Sequence, residues 1–183
     1  MKKELVVMLT FTLILLGCEK QSDVSVDAHG FSAPTKLTAD LNAAVGKELP
    51  LENQQDFEDA RRGLIASDAN LKIVNPDIGT IWDQTAYTFR EEKAPESANP
   101  SLWRQARLNN IHGRFEVSRG VYQLRGFDLA NMTLIDGENG WIVVDSLTSK
   151  ETSARAWAFA MQHLPEKAIT AMIFTHSHVD PLG

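Results

Sequence analysis

The chain has 183 residues, 43% apolar and 23% charged, which leaves room for one domain with a real core and excludes a disordered chain. Eighteen basic residues against 24 acidic ones give a net charge of −6 with no basic run. That balance excludes a phosphate-tracking surface, and with it nucleic acid as a partner.

The chain opens on a short basic segment, Met1-Lys2-Lys3-Glu4, followed by an apolar run from Leu5 to Leu16. The run is too short to span a hydrocarbon layer of roughly 30 Å but fits the h-region of a signal peptide. Leu15-Leu16-Gly17-Cys18 resembles the lipobox of bacterial lipoproteins and contains the only cysteine of the protein. This resemblance implies cleavage before Cys18, lipidation of its thiol and acylation of the new N-terminus. The protein would then sit on the periplasmic side of a bacterial membrane, at the outer membrane, held by several acyl chains where one alone is marginal. A buried free thiol, the alternative, gives Cys18 no reason to follow an h-region and a glycine. Residues 1–17 therefore read as a signal peptide and 18–35 as a lipid-anchored tether, polar and without periodic apolar residues. His29 falls in the tether as a solvated histidine.

Residues 36–112 read as a helical and hairpin extension. Leu37, Leu41 and Val45 recur at four-residue spacing over 35–45, which predicts a short amphipathic helix closed by Gly46. A second helix is predicted over 53–64, with Phe57, Ala60 and Leu64 on one face and Asp56, Glu58 and Asp59 as a solvated acidic start that favours the helix dipole. Leu71-Lys72-Ile73-Val74 and Thr80-Ile81-Trp82 flank a turn containing Pro76 and Gly79, the pattern of a hairpin. Residues 91–99 are a charged surface loop. Asn99 then caps a helix that has Pro100 at its first position, with Leu102, Ala106 and Leu108 as candidates for burial. His112 reads as a loop histidine.

From Arg114 the pattern changes to closely spaced strands over 115–117, 121–124, 132–135 and 141–144, the last two joined by a turn at 136–140. The apolar run Trp141 to Val144 predicts a strand buried on both faces, with the carboxylate of Asp145 emerging at its end. A capping box at 148–151 starts a helix whose inner face is Ala154, Trp157, Met161 and Leu164 and which Pro165 ends. His163 sits in its last turn. The run from Ala168 to Phe174 predicts a buried strand that delivers Thr175-His176-Ser177-His178-Val179-Asp180 to a sheet edge, where open α/β sheets place their ligand sites. Two imidazoles at alternate positions with a carboxylate two residues on suit a zinc-like divalent ion.

Strands, hairpin, Val143-Val144-Asp145, a covering helix and a strand ending in Thr-His-Ser-His-x-Asp resemble the opening order of the metallo-β-lactamase superfamily. Within it, Asn99-Pro100-Ser101-Leu102-Trp103-Arg104-Gln105-Ala106, Gly113-Arg114-Phe115-Glu116-Val117, Val121-Tyr122-Gln123-Leu124-Arg125-Gly126 and the Ala-Arg-Arg-Gly-Leu of 60–64 resemble the bacterial alkylsulfatases. The resemblance implies an α/β (α+β) fold, the N-terminal part of an αββα sandwich cut off after its first metal-binding loop, with residues 113–183 as an incomplete metallo-β-lactamase domain. It implies hydrolysis of primary alkyl sulfates such as dodecyl sulfate to primary alcohol and sulfate, two Zn2+ per intact active site, and a homodimer in the intact family. His176 and His178 match ligands of the first metal. Asp180 matches a ligand of the second that also acts on the attacking water, as the catalytic residue.

The family pattern continues His-x-His-x-Asp-His, and here the last position is Pro181, which has no lone pair for a metal. Family enzymes are also several times longer and carry further ligands after this loop. The expectation is an incomplete site, weak zinc binding and little or no activity. A non-catalytic lipoprotein remnant, a prematurely stopped gene and another hydrolase of the superfamily are the competing readings. Arg104 and Arg107 are the candidates for cationic contact with a sulfate.

Overall fold

A computed structural model describes Val26, residues 32–91 and residues 93–177. The predicted signal peptide, Cys18, His29, His178, Asp180 and Pro181 lie outside the described residues.

The first helix, α1 (Lys36–Glu48), starts where Thr35 accepts a hydrogen bond from Thr38 N at 3.2 Å. It runs through Gly46, which does not close it, and ends when Leu49 turns extended and donates to Val45 O. Its predicted apolar face stays open to solvent, with Leu37 68% and Leu41 59% exposed. Helix α2 (Gln55–Arg61) is shorter than its periodicity predicts. Gly63 turns the chain at φ 77°, so close to Glu116 O that a Cβ would stand 2.3 Å from it. Leu64 thereby enters strand β1 (Leu64–Ala66) and leaves the helical face. The predicted hairpin forms as β2 (Lys72–Asn75) and β3 (Gly79–Asp83), a separate two-stranded sheet. A 3-10 helix (Gln84–Glu91) follows, for which the sequence gives no periodic signal.

Helix α3 (Pro100–Asn109) has Asn99 as its cap, accepting from Ser101 N at 2.9 Å, with Pro100 in the first turn as predicted. Leu102, by contrast, is 70% exposed and not part of the core. The acidic start of α2 is more than a solvated face, since Asp56 pairs with Arg104 of α3 at 2.8 Å.

Strands β4 (Gly113–Ser118), β5 (Val121–Arg125), β6 (Met132–Asp136) and β7 (Trp141–Val144) form an antiparallel meander. β1 pairs outside β4, and β8 (Ile169–Ile173) pairs parallel to β7, giving a six-stranded sheet in the order β1-β4-β5-β6-β7-β8. Leu124, Met132, Leu134, Trp141 and Val143 pack on one face with Phe127, Leu147 and the β2 residue Ile73.

Helix α4 (Lys150–Met161), the crossover between β7 and β8, covers that face. Its cap is Ser149, boxed with Thr152, and its buried side is Thr152, Ala156, Phe159 and Ala160. Ala154 points to solvent, so the inner face is rotated from the predicted one; Trp157, Met161 and Leu164 sit at its margin.

Two burial expectations fail for one physical reason. β7 is buried at Trp141 and Val143 but only half-buried at Ile142 and Val144, and all five residues of β8 are exposed. β8 is the sheet's edge, and among the described residues no element covers its outer side or the adjacent face of β7.

Candidate functional site

Because β7 and β8 run parallel, their C-terminal ends emerge at one edge, and the chain places a carboxylate on the first and the imidazole loop on the second. Gly140 allows the two strands to meet at their start. Trp141 N donates to Ala168 O at 2.8 Å, and a Cβ on Gly140 would lie 2.2 Å from that same oxygen. At the other end, Asp145 N donates to Ile173 O at 2.9 Å and continues the ladder one residue past β7.

Asp145 then leaves the strand at φ 54°, a left-handed conformation that aspartate tolerates better than most residues. Its carboxylate accepts two hydrogen bonds from one residue, Thr175 N to Oδ1 at 2.9 Å and Thr175 Oγ1 to Oδ2 at 2.7 Å. Thr175 Oγ1 also lies 2.8 Å from Nδ1 of His176. The predicted ligand His176 therefore stands exposed at the edge, tied to Asp145 through a hydroxyl.

A second layer fixes the loop that carries Asp145. Leu147 has φ 73°, a conformation costly for a large side chain, and is kept there by complete burial. Asp128, 6% exposed, reaches across from the β5–β6 loop. Its Oδ2 accepts from Thr148 N at 2.9 Å, Thr148 Oγ1 at 2.6 Å and Thr152 Oγ1 at 2.6 Å, while Oδ1 accepts from Leu129 N at 2.6 Å. One buried carboxylate thus joins the start of α4 to the turn that aims Asp145.

Among the described residues no group of three or more His, Cys, Asp or Glu side chains could hold a metal ion. His176 is the one predicted ligand they include. A strand-end imidazole whose Nδ1 is engaged by a hydroxyl fits a metal-ligand role, because ligating histidines are oriented by a hydrogen bond at the other ring nitrogen.

Arg104 is committed elsewhere. Besides Asp56, it donates to Leu51 O at 3.3 Å and Asn53 O at 2.6 Å, and its guanidinium lies 5.1 Å from the Phe57 ring centre, with a similar contact from Arg107 at 5.2 Å. These contacts brace α2 against α3. An open cavity of about 740 Å3 between these helices and the β5–β6 loop is lined by Trp82, Gln105, Arg125, Asp128 and Leu129 among others, but by neither Thr175 nor His176. Sequence reasoning left Thr175 and Asp128 without roles. A threonine directly before the first histidine was visible as a signal, whereas Asp128 lies in a loop with no pattern at all.

Residues 125–182 match the Metallo-beta-lactamase superfamily. The chain is 46% identical over 160 residues to an (R)-specific secondary-alkylsulfatase of Pseudomonas sp., which covers 87% of this chain and 24% of that protein. It is 44% identical over 151 residues to an alkyl/aryl-sulfatase of Saccharomyces cerevisiae, covering 82% and 23%, and 43% identical over 151 residues to a linear primary-alkylsulfatase of Pseudomonas sp., covering 81% and 22%. Among solved structures, the stereoselective inverting sec-alkylsulfatase Pisa1 from Pseudomonas sp. superposes with a TM-score of 0.75 at 46% identity, over 80% of this chain and 23% of that one. The chain thus spans about a quarter of the length of the curated relatives it matches.

Proposed function

The chain belongs to the alkylsulfatases of the metallo-β-lactamase superfamily, and on that premise we propose that it carries the first metal-binding loop of an alkyl sulfate ester hydrolase. The observation that carries this reading is the pair of hydrogen bonds from Thr175 to Asp145, which sets the start of His176-Ser177-His178-Val179-Asp180 at the C-terminal edge of a parallel strand pair. His176 and His178 would offer imidazole nitrogens to one ion, and Asp180 would offer a carboxylate oxygen to a second and orient or deprotonate the attacking water. Zinc bound there would supply a hydroxide nucleophile near neutral pH and offset the charge of the sulfate. Pro181 offers no donor where the family pattern has a histidine, so a second ion would have one ligand fewer. The substrate class is a primary alkyl sulfate such as dodecyl sulfate, with the primary alcohol and sulfate as products.

A graft tests this. Residues 36–183 replace the matching stretch of the linear primary-alkylsulfatase of Pseudomonas, with Pro181 kept or changed by Pro181→His. Sulfate release from dodecyl sulfate and from a secondary alkyl sulfate is followed beside zinc content and circular dichroism. The expected result is release from dodecyl sulfate by the Pro181→His graft and background release with Pro181. A folded, zinc-loaded Pro181→His graft that hydrolyses neither ester overturns the reading, and equal rates for the two grafts overturn the role given to position 181.

Pro181 also favours a second reading, a lipoprotein that retains the fold without the reaction. Both readings share the anchor at Cys18 on the periplasmic side of the outer membrane. Cys18→Ser should abolish incorporation of labelled fatty acid and release the protein from the membrane fraction; unchanged labelling would refute the lipidation site.

A further inference from the structure

We infer that the corner between α2, α3 and the β1–β2 loop binds a small organic anion, a sulfate- or carboxylate-type head group with a short apolar tail. The site is separate from the His176 edge, and the inference does not rest on ester hydrolysis there.

A second cavity, of about 630 Å3, lies at this corner, with Arg61, Arg107, His112, Phe57, Leu64 and Ile111 in its walls. Among the described residues that line it there is no Asp or Glu. The two arginines come from different helices and converge on one residue. Arg61, the last residue of α2, donates from Nη1 to Phe57 O at 3.1 Å, and Arg107 of α3 sets its guanidinium 5.2 Å from the centre of the Phe57 ring. Among the described residues neither has a carboxylate partner, whereas their neighbours Arg62 and Arg104 are paired with Asp59 and Asp56. A guanidinium is always charged and carries five N–H donors in a planar fork. Arg61 spends one of them on Phe57 O and Arg107 meets a ring face, so both keep donors for an anion.

A third positive charge stands behind the wall. Arg114 of β4 is 4% exposed, and its Nε and Nη1 have no hydrogen-bond partner among the described residues. Its register partner on β1 is Ala66, the residue before Ser67 of the cavity lining. A charge removed from water is screened less than an exposed one, so Arg114 adds to the positive potential of this corner. The chain as a whole carries −6, so three cations without carboxylates in one corner run against its own average.

The walls are held by the protein itself. The ring nitrogens of His112 lie 2.9 Å from Asn110 O and 2.8 Å from Asp68 O, which ties the end of α3 to the β1–β2 loop, and Gln84 Nε2 donates to Asn110 Oδ1 at 2.7 Å. A ligand entering such a site loses little to ordering the protein. Phe57 is buried, Leu64 and Ile111 are half-buried, and both arginines are exposed. Exposed cations over an apolar floor suit a head group that takes charge-assisted, bidentate hydrogen bonds and a tail that removes apolar surface from water.

Calorimetric titration of the full chain tests this, with a chelator present so that no metal-dependent site contributes. Hexyl sulfate and hexanoate should bind and hexylammonium should not, and the ratio of the first two names the preferred head group. Hexyl sulfate should bind about 10-fold or more tightly than methyl sulfate, which lacks the tail. Arg61→Gln and Arg107→Gln should each weaken hexyl sulfate about 10-fold. Arg119→Gln removes the same charge from an exposed arginine outside the cavity and should change binding by less than about 2-fold. Circular dichroism checks the fold of each variant; Arg61→Gln gives up a single hydrogen bond at the end of α2 and carries the test alone if Arg107→Gln unfolds. Absence of binding, equal affinity for hexyl and methyl sulfate, binding of hexylammonium as tight as that of hexyl sulfate, or a loss for Arg119→Gln as large as for Arg61→Gln overturns the inference. None of these results depends on sulfate release by the graft, so the two readings fail separately.

Discussion

Asp128→Ala tests whether the aim of the Asp145 turn is set from a distant loop. The substitution removes a buried carboxylate that receives four hydrogen bonds, two from backbone N–H groups and two from threonine hydroxyls. The hydroxyls can rotate to new partners, and Thr152 Oγ1 already lies 3.0 Å from Ser149 O. Thr148 N and Leu129 N cannot. Leaving a buried donor unsatisfied costs about 1–3 kcal/mol; Leu129 is 86% exposed and its N–H can be met by water, so the half-buried Thr148 N sets the loss at about 1–3 kcal/mol. For a protein of this size, about 2 kcal/mol corresponds to a fall in Tm of about 4–8 °C. Thermal unfolding by circular dichroism measures it, with Asp128→Asn as the milder variant because its amide oxygen keeps part of the acceptor role. A loss below about 1 kcal/mol for Asp128→Ala would refute the claim that this carboxylate holds the turn.

The same logic gives smaller tests elsewhere. Gly140→Ala forces a methyl group against Ala168 O, where a Cβ would lie at 2.2 Å, so it should cost about 1–3 kcal/mol and speed amide exchange at Trp141, whose N–H bonds that oxygen; unchanged exchange would count against the close approach. The Lys72 ammonium and the Thr85 hydroxyl bond the Asp83 carboxyl and hold it down at about 2. Because the folded value lies below the unfolded one, its contribution to stability is fully present above about pH 4 and is lost as pH falls through about 2. In an NMR titration Asp83 should have its midpoint there, and Lys72→Met should raise it; a midpoint near 4 in the parent protein would refute the pairing.

The secondary structure was legible where the chain states it locally. Asn99 with Pro100 names the start of α3, and the alternation in Met132-Thr133-Leu134-Ile135 names a strand with one buried face. The errors arose where burial depends on a neighbour. Ala168 to Phe174 reads as interior because every residue but Thr170 is apolar, yet apolarity reports what a strand would gain by being covered and not whether a covering element is at hand. Leu37, Leu41 and Leu102 fail for the same reason, and Ala154 because a helical face set by periodicity alone can be rotated by one residue.

The site divides along the same line. His176 is legible as chemistry because a histidine pair at alternate positions has few structural explanations. What aims it is long-range: Asp145 and Thr175 are 30 residues apart and meet because α4 returns the chain parallel to β7. Asp128 and Thr148 are 20 apart and meet because the β6–β7 hairpin folds back in between. Neither pair has a sequence signature, since a carboxylate and a hydroxyl at those separations are common in any chain. The setting of Thr175 beside His176 is therefore decided by topology, through which carboxylate the sheet brings within 2.7 Å of one hydroxyl, while the candidate ligand itself is named by the local motif. A chain that kept His176 and lost Asp145 would keep the motif and lose its orientation.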